Sequence, residues 1–166
     1  HIMDPEIIEV NMAESKVAKS PSVMVSRGLG SCLAIIIYDP SRKVGAMAHS
    51  MLPDIDKSRI KTNPARFVNS VVPAMLEEMA KMGAHINKNH LIAKIFGGAH
   101  MFTFIDANNP FSVGDRNIEM AKSVLSQHGI NIVAEDVGGN FGRTVEFSLD
   151  TGKVRVRTIS LKEKEF

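Results

Sequence analysis

The chain has 166 residues, 44% of them hydrophobic and 23% charged, with 20 Lys and Arg against 18 Asp and Glu. That is the size and composition of one compact domain, expected over residues 3–166 after a His1-Ile2 cloning remnant, and scattered charge of net +2 argues against a nucleic-acid surface. Apolar runs fall far short of the roughly 20 residues of a membrane span and no signal-peptide core opens the chain, so a soluble, cytoplasmic protein without membrane insertion is expected.

From Val23 to Met51 the pattern predicts a meander of strands. Val23–Ser26 leads into the break Gly28-Leu29-Gly30-Ser31, Leu33–Tyr38 follows, and after a turn at Asp39-Pro40-Ser41 comes Val44–Met51. Asn63 and Pro64 read as N-cap and first residue of a helix. Phe67, Val68, Val71, Val72, Met75, Leu76 and Met79 continue it at helical spacing to Gly83, and Pro73 is expected to kink or divide it near residue 70. Leu91–Phe96 predicts a strand ending at Gly97-Gly98. Gly114–His128 predicts a helix with Ile118, Ala121 and Leu125 inward and Gly129 as its stop. Ile132–Val137 predicts another strand, and the alternation around Asp150-Thr151-Gly152 predicts a C-terminal hairpin. These elements imply an α/β domain with helices packed on a mainly antiparallel or mixed sheet.

The lone cysteine, Cys32, cannot form an internal disulfide and stands where a glycine-rich loop enters a buried strand. A thiol attacks only as thiolate, which needs a nearby base, cation or backbone donors. Gly28 and Gly30 allow a tight bend in which the N–H groups around Ser31 and Cys32 converge on an oxyanion. His49 lies on the next strand, where hairpin pairing brings it alongside as general base. The residues alone leave the bland alternatives open, a core cysteine packing as a small hydrophobe and a buried imidazole bound to a carbonyl. Ser26, six residues upstream, offers a hydroxyl to orient His49 or to meet a substrate amide. Met101 and Phe102 follow Gly97-Gly98 and are candidate substrate or partner contacts, although a simple turn explains the segment as well. Leu33 replaces the third glycine of a dinucleotide fingerprint and no helix follows, so nucleotide binding is rejected. The other histidines lack metal-ligand spacing, and no metal is expected.

Several ordered blocks, from residue 20 to 158, resemble the CheD chemoreceptor glutamine deamidases. They include Val25-Ser26-Arg27-Gly28-Leu29-Gly30-Ser31-Cys32, Val44-Gly45-Ala46-Met47-Ala48-His49, Lys94-Ile95-Phe96-Gly97-Gly98-Ala99, Gly114-Asp115-Arg116-Asn117 and Ala134–Asn140, with Arg143 beyond. The resemblance implies Cys32 and His49 as catalytic pair, with Ser26 where the family usually has threonine. Serine keeps the hydroxyl but lacks the β-branch that restricts χ1. It further implies an α/β sandwich similar to the cytotoxic necrotizing factor deamidases and hydrolysis of receptor glutamine amides to glutamate; that chemistry requires no cofactor and extends to glutamyl methyl esters, which are better electrophiles than amides. The implied partners are the cytoplasmic helices of methyl-accepting chemoreceptors and CheC-type phosphatases. A second reading is a binding module for phosphatase or receptor with weak or lost catalysis.

Overall fold

The computed structural model describes residues 4–87, 89–101, 112–160 and 162–166. In chain order the strands and helices are β1 (Ile7–Glu9), β2 (Glu14–Lys19), β3 (Val23–Leu29), β4 (Leu33–Asp39), β5 (Val44–Ser50), α1 (Val68–Lys81), β6 (Ile92–Gly97), α2 (Val113–Gln127), β7 (Asn131–Val137), β8 (Arg143–Ser148), β9 (Val154–Thr158) and β10 (Glu163–Glu165). They form two five-stranded sheets rather than the one sheet expected, ordered β1-β3-β8-β9-β10 and β2-β5-β4-β6-β7. Only the β1–β3 and β6–β7 pairs are parallel.

The physical reason for two sheets lies in β4, whose every residue is buried. Its odd residues Leu33, Ile35 and Ile37 pack with α1 and α2, while Ala34, Ile36 and Tyr38 pack with Phe147, Val154 and Val156 of the other sheet. A strand covered on both faces reads as a continuous apolar run, and here the two faces feed separate cores. The result is three layers, helices on sheet on sheet. α1 contributes Val68, Val71, Val72, Met75, Leu76 and Met79, a stripe at helical spacing whose larger members are each worth roughly 1.5–3 kcal/mol of burial.

Two local expectations change. Asn63 does cap Pro64, but only a single 3-10 turn, Pro64–Arg66, and the chain is extended at Phe67 before α1 begins. Pro73 lies inside an unbroken α1, so the division falls at Phe67 and not near residue 70. The strands β1, β2 and β10 have no counterpart in the predicted elements, being short or weakly patterned; β2 reads ESKVAK. Among the described residues no helix is long and apolar enough to cross a membrane.

Gly97 ends β6 with φ +107°, and a Cβ there would stand 2.5 Å from the Cys32 carbonyl oxygen. Both the backbone conformation and the close approach require glycine. Gly97→Ala is therefore expected to lower stability by about 1–3 kcal/mol, read from the thermal midpoint. It should also impair any reaction at Cys32, because the strained contact is with that residue's own backbone.

Candidate active site

Strand pairing delivers the first element of the site. Ala34 on β4 is directly opposite His49 on β5, and Leu33 is opposite Ser50. Cys32 immediately precedes β4 and packs in the inter-sheet core with Ala34 and Met47. Along β5, Ala46 and Ala48 face the helices and Met47 faces the other sheet, so alternation turns His49 to the inter-sheet side as well. Cys32 and His49 are thus diagonal neighbours on one face, a spacing of about 7–8 Å between backbones that long and aromatic side chains bridge.

The backbone around Cys32 is pinned on one side. The Gly30 carbonyl accepts from Ala99 N–H at 2.9 Å, the Cys32 carbonyl from Gly98 N–H at 2.9 Å, and the Ser31 carbonyl from Asn117 Nδ2 at 2.9 Å. Among the described residues no backbone oxygen accepts from the N–H groups of Gly30, Ser31 or Cys32, and the Cys32 N–H helps to lower the pKa of its own thiol. Three consecutive carbonyls are held while the neighbouring amide protons are left to serve another acceptor, which is what an oxyanion site needs. Gly28 supplies the bend at φ +66°. Met101 lies over Gly30, its Cγ 3.0 Å from where a Cβ on that glycine would sit, and is itself 48% exposed. It stands at the mouth of the nucleophile loop, whereas Phe102 lies outside the described residues.

Both reactive groups are nearly covered, Cys32 at 8% exposure and His49 at 2%. Burial pushes the thiol above its ordinary value of 9.0, partly offset by its own N–H, and pushes the imidazole below 6.5, partly offset by the Val10 carbonyl. Neither ring nitrogen of His49 has a partner at hydrogen-bond geometry among the described residues, so Val10 acts on the ring through its dipole. The resting pair is accordingly thiol and neutral imidazole, a base with its proton acceptor free. For a reaction driven by this pair, kcat/KM should fall on the acid side only below pH 6.5, as His49 gains its proton. An acid limb centred above 6.5 would contradict the assignment of His49.

Ser26 is fully buried and donates to the Val10 carbonyl at 2.9 Å, with Met47 Sδ at 3.2 Å. Its hydroxyl therefore meets the same carbonyl that bears on His49 and touches the ring only through it. Val10 and Asn117 were not legible as site residues beforehand. Val10 enters through backbone alone, which no side-chain pattern reveals. Asn117 did carry a signal, a polar residue on the inward stripe of α2 with Gly114, Ile118 and Ala121, all buried.

A model of the family described as CheD chemotactic sensory transduction matches residues 51–158. A relative from Clostridium novyi, named probable chemoreceptor glutamine deamidase CheD, is 43% identical over 159 residues, covering 96% of this chain and 97% of its own. Relatives of the same name from Caldanaerobacter subterraneus and Desulforamulus reducens are also 43% identical, over 95% and 92% of this chain and 96% and 90% of theirs. Among solved structures, the Bacillus licheniformis hypothetical protein YfiH aligns with a TM-score of 0.46 at 15% identity, over 73% of this chain and 49% of that one. By sequence, the chain belongs to the CheD family.

Proposed function

We propose that this protein is a chemoreceptor glutamine deamidase in which Cys32 is the nucleophile and His49 the general base and acid. The observation that carries the reading is the placement of thiol and imidazole on one face of paired strands, beside amide protons that have no acceptor among the described residues. The names of its relatives support the substrate class.

Neutral His49 takes the thiol proton as Sγ attacks the side-chain carbonyl carbon, and the tetrahedral oxyanion is held by the N–H groups of Ser31 and Cys32. Protonated His49 gives its proton to the amide nitrogen, the C–N bond breaks and ammonia leaves a γ-glutamyl thioester. His49, neutral again, takes a proton from water, whose oxygen attacks the thioester. The C–S bond then breaks, the sulfur recovers the proton from His49, and glutamate is released. No redox step or cofactor enters. A neutral side chain on a packed receptor helix thereby becomes anionic, changing repulsion between neighbouring helices. Glutamyl methyl esters fit the same cycle with methanol in place of ammonia.

Ser26 holds the Val10 carbonyl beside the ring, favouring the imidazolium formed during each half-reaction. CheC-type phosphatases as partners, a cytoplasmic location and a likeness of fold to the cytotoxic necrotizing factor deamidases belong to the same reading. The test is mass spectrometry of a receptor cytoplasmic fragment incubated with the protein. A gain of about 1 Da per converted glutamine, as NH2 gives way to OH, is expected; an unchanged fragment contradicts the proposal.

A further inference from the structure

Asn117 is completely buried in the first turns of α2, yet among the described residues both hydrogen bonds of its side chain go to the backbone flanking the catalytic pair. Its Nδ2 donates to the Ser31 carbonyl at 2.9 Å and to the Met51 carbonyl at 3.1 Å. Ser31 directly precedes Cys32, and Met51 follows His49 by two residues. Two carbonyl acceptors on one side fix the orientation of the carboxamide, since its oxygen cannot face them. Among the described residues the Oδ1 consequently has no partner and is buried, a cost of roughly 1–3 kcal/mol that a purely structural residue would not need to carry.

A trans peptide directs its C=O and N–H to opposite sides. Asn117 comes from the helix layer, on the side of β4 occupied by Leu33, whereas Cys32 packs on the inter-sheet side. Holding the Ser31 carbonyl toward the helices therefore turns the Cys32 N–H toward the sulfur and the reacting carbonyl. The close seat of α2 makes this hold rigid. A Cβ on Gly114 would stand 2.5 and 2.7 Å from the carbonyl oxygens of Gly98 and Ala99, and Ser112 and Asp115 form a capping box at the helix start.

We infer that Asn117 is a positioning residue for catalysis, which aims the Cys32 N–H as oxyanion donor and ties the nucleophile loop to the strand that carries His49. It acts through the 31–32 peptide and touches no reacting atom. This rests on Cys32 being the nucleophile.

The test uses Asn117→Asp, close to isosteric but presenting oxygen to both carbonyls, and Asn117→Ala, which introduces no charge and serves if the aspartate variant does not fold. Each is assayed on a receptor fragment well below its melting temperature. Iodoacetamide labelling of Cys32 against pH is followed in parallel. The expected result is a fall in kcat of about 10²-fold with KM held, as for loss of one oxyanion donor. The labelling midpoint should also move to higher pH, because the N–H no longer stabilises the thiolate. A folded variant with wild-type kcat overturns the inference, and so does a fall in kcat with the labelling midpoint unmoved, since a loosened fold alone would produce that. If the unaltered protein converts no glutamine, the deamidase reading fails, while the labelling midpoints still decide whether Asn117 directs the Cys32 amide.

Discussion

Replacing Cys32 by alanine is expected to lower kcat for glutamine conversion by about 10⁴-fold or more, because no other group can form the covalent intermediate. The substitution exchanges one small side chain, which among the described residues makes no side-chain hydrogen bond to a neighbour, for another, so the thermal midpoint should stay close to that of the parent. Cys32 is the only cysteine in the chain, which prevents any other thiol from substituting. Conversion undiminished in a folded Cys32→Ala protein, followed by the 1 Da mass gain, would remove the nucleophile from the mechanism.

His49 yields the second large effect, and one with an unusual sign on stability. General acid and base catalysis typically supplies about 10²- to 10⁴-fold, and His49→Leu should lose that factor in kcat. Yet among the described residues neither buried ring nitrogen has a partner at hydrogen-bond geometry, so the imidazole carries a desolvation cost that the Val10 carbonyl offsets only in part. A leucine of similar size pays no such cost. The variant should therefore melt no lower than the parent at pH 7, and the gap should widen in its favour as pH falls below 6.5. There the unfolded histidine binds a proton that the folded one resists, which destabilises the parent alone. A variant that keeps near-parental activity would exclude His49 as base. One that unfolds would show that the ring is a packing residue first.

How far these groups could be found beforehand depended on whether their role resides in a side chain or in backbone placement. Apolar runs and stripes revealed β3 to β7, both long helices and the C-terminal hairpin: the helices, β7 and β8 alternate between a more buried and a more exposed face, whereas β4 and β5 are buried throughout and read as continuous apolar runs. The run Leu33–Tyr38 gave a strand correctly but not the second sheet, since a strand buried on both faces does not say what covers each face. β2 escaped because its only apolar residues, Val17 and Ala18, are adjacent and enclosed by Lys16 and Lys19, which leaves no alternating period. In the site, Cys32 and His49 were legible from a thiol after a glycine loop and an imidazole in an apolar strand. Ser26 was legible as a hydroxyl but not in its partner, since the Val10 carbonyl is presented by a segment 16 residues earlier. Asn117 is 86 residues from Ser31, and only the packing of α2 against the end of β6 brings the two together.

In this mechanism every conversion of glutamine passes through the sulfur of Cys32. With a single cysteine, stoichiometric alkylation by iodoacetamide modifies that sulfur alone, and intact mass spectrometry verifies it. The most direct measurement incubates this alkylated protein, checked for an unchanged circular dichroism spectrum, with a receptor cytoplasmic fragment beside the untreated protein. Untreated protein should give the 1 Da gain per glutamine and the alkylated form none; conversion by the alkylated protein at the untreated rate would contradict Cys32 as the nucleophile.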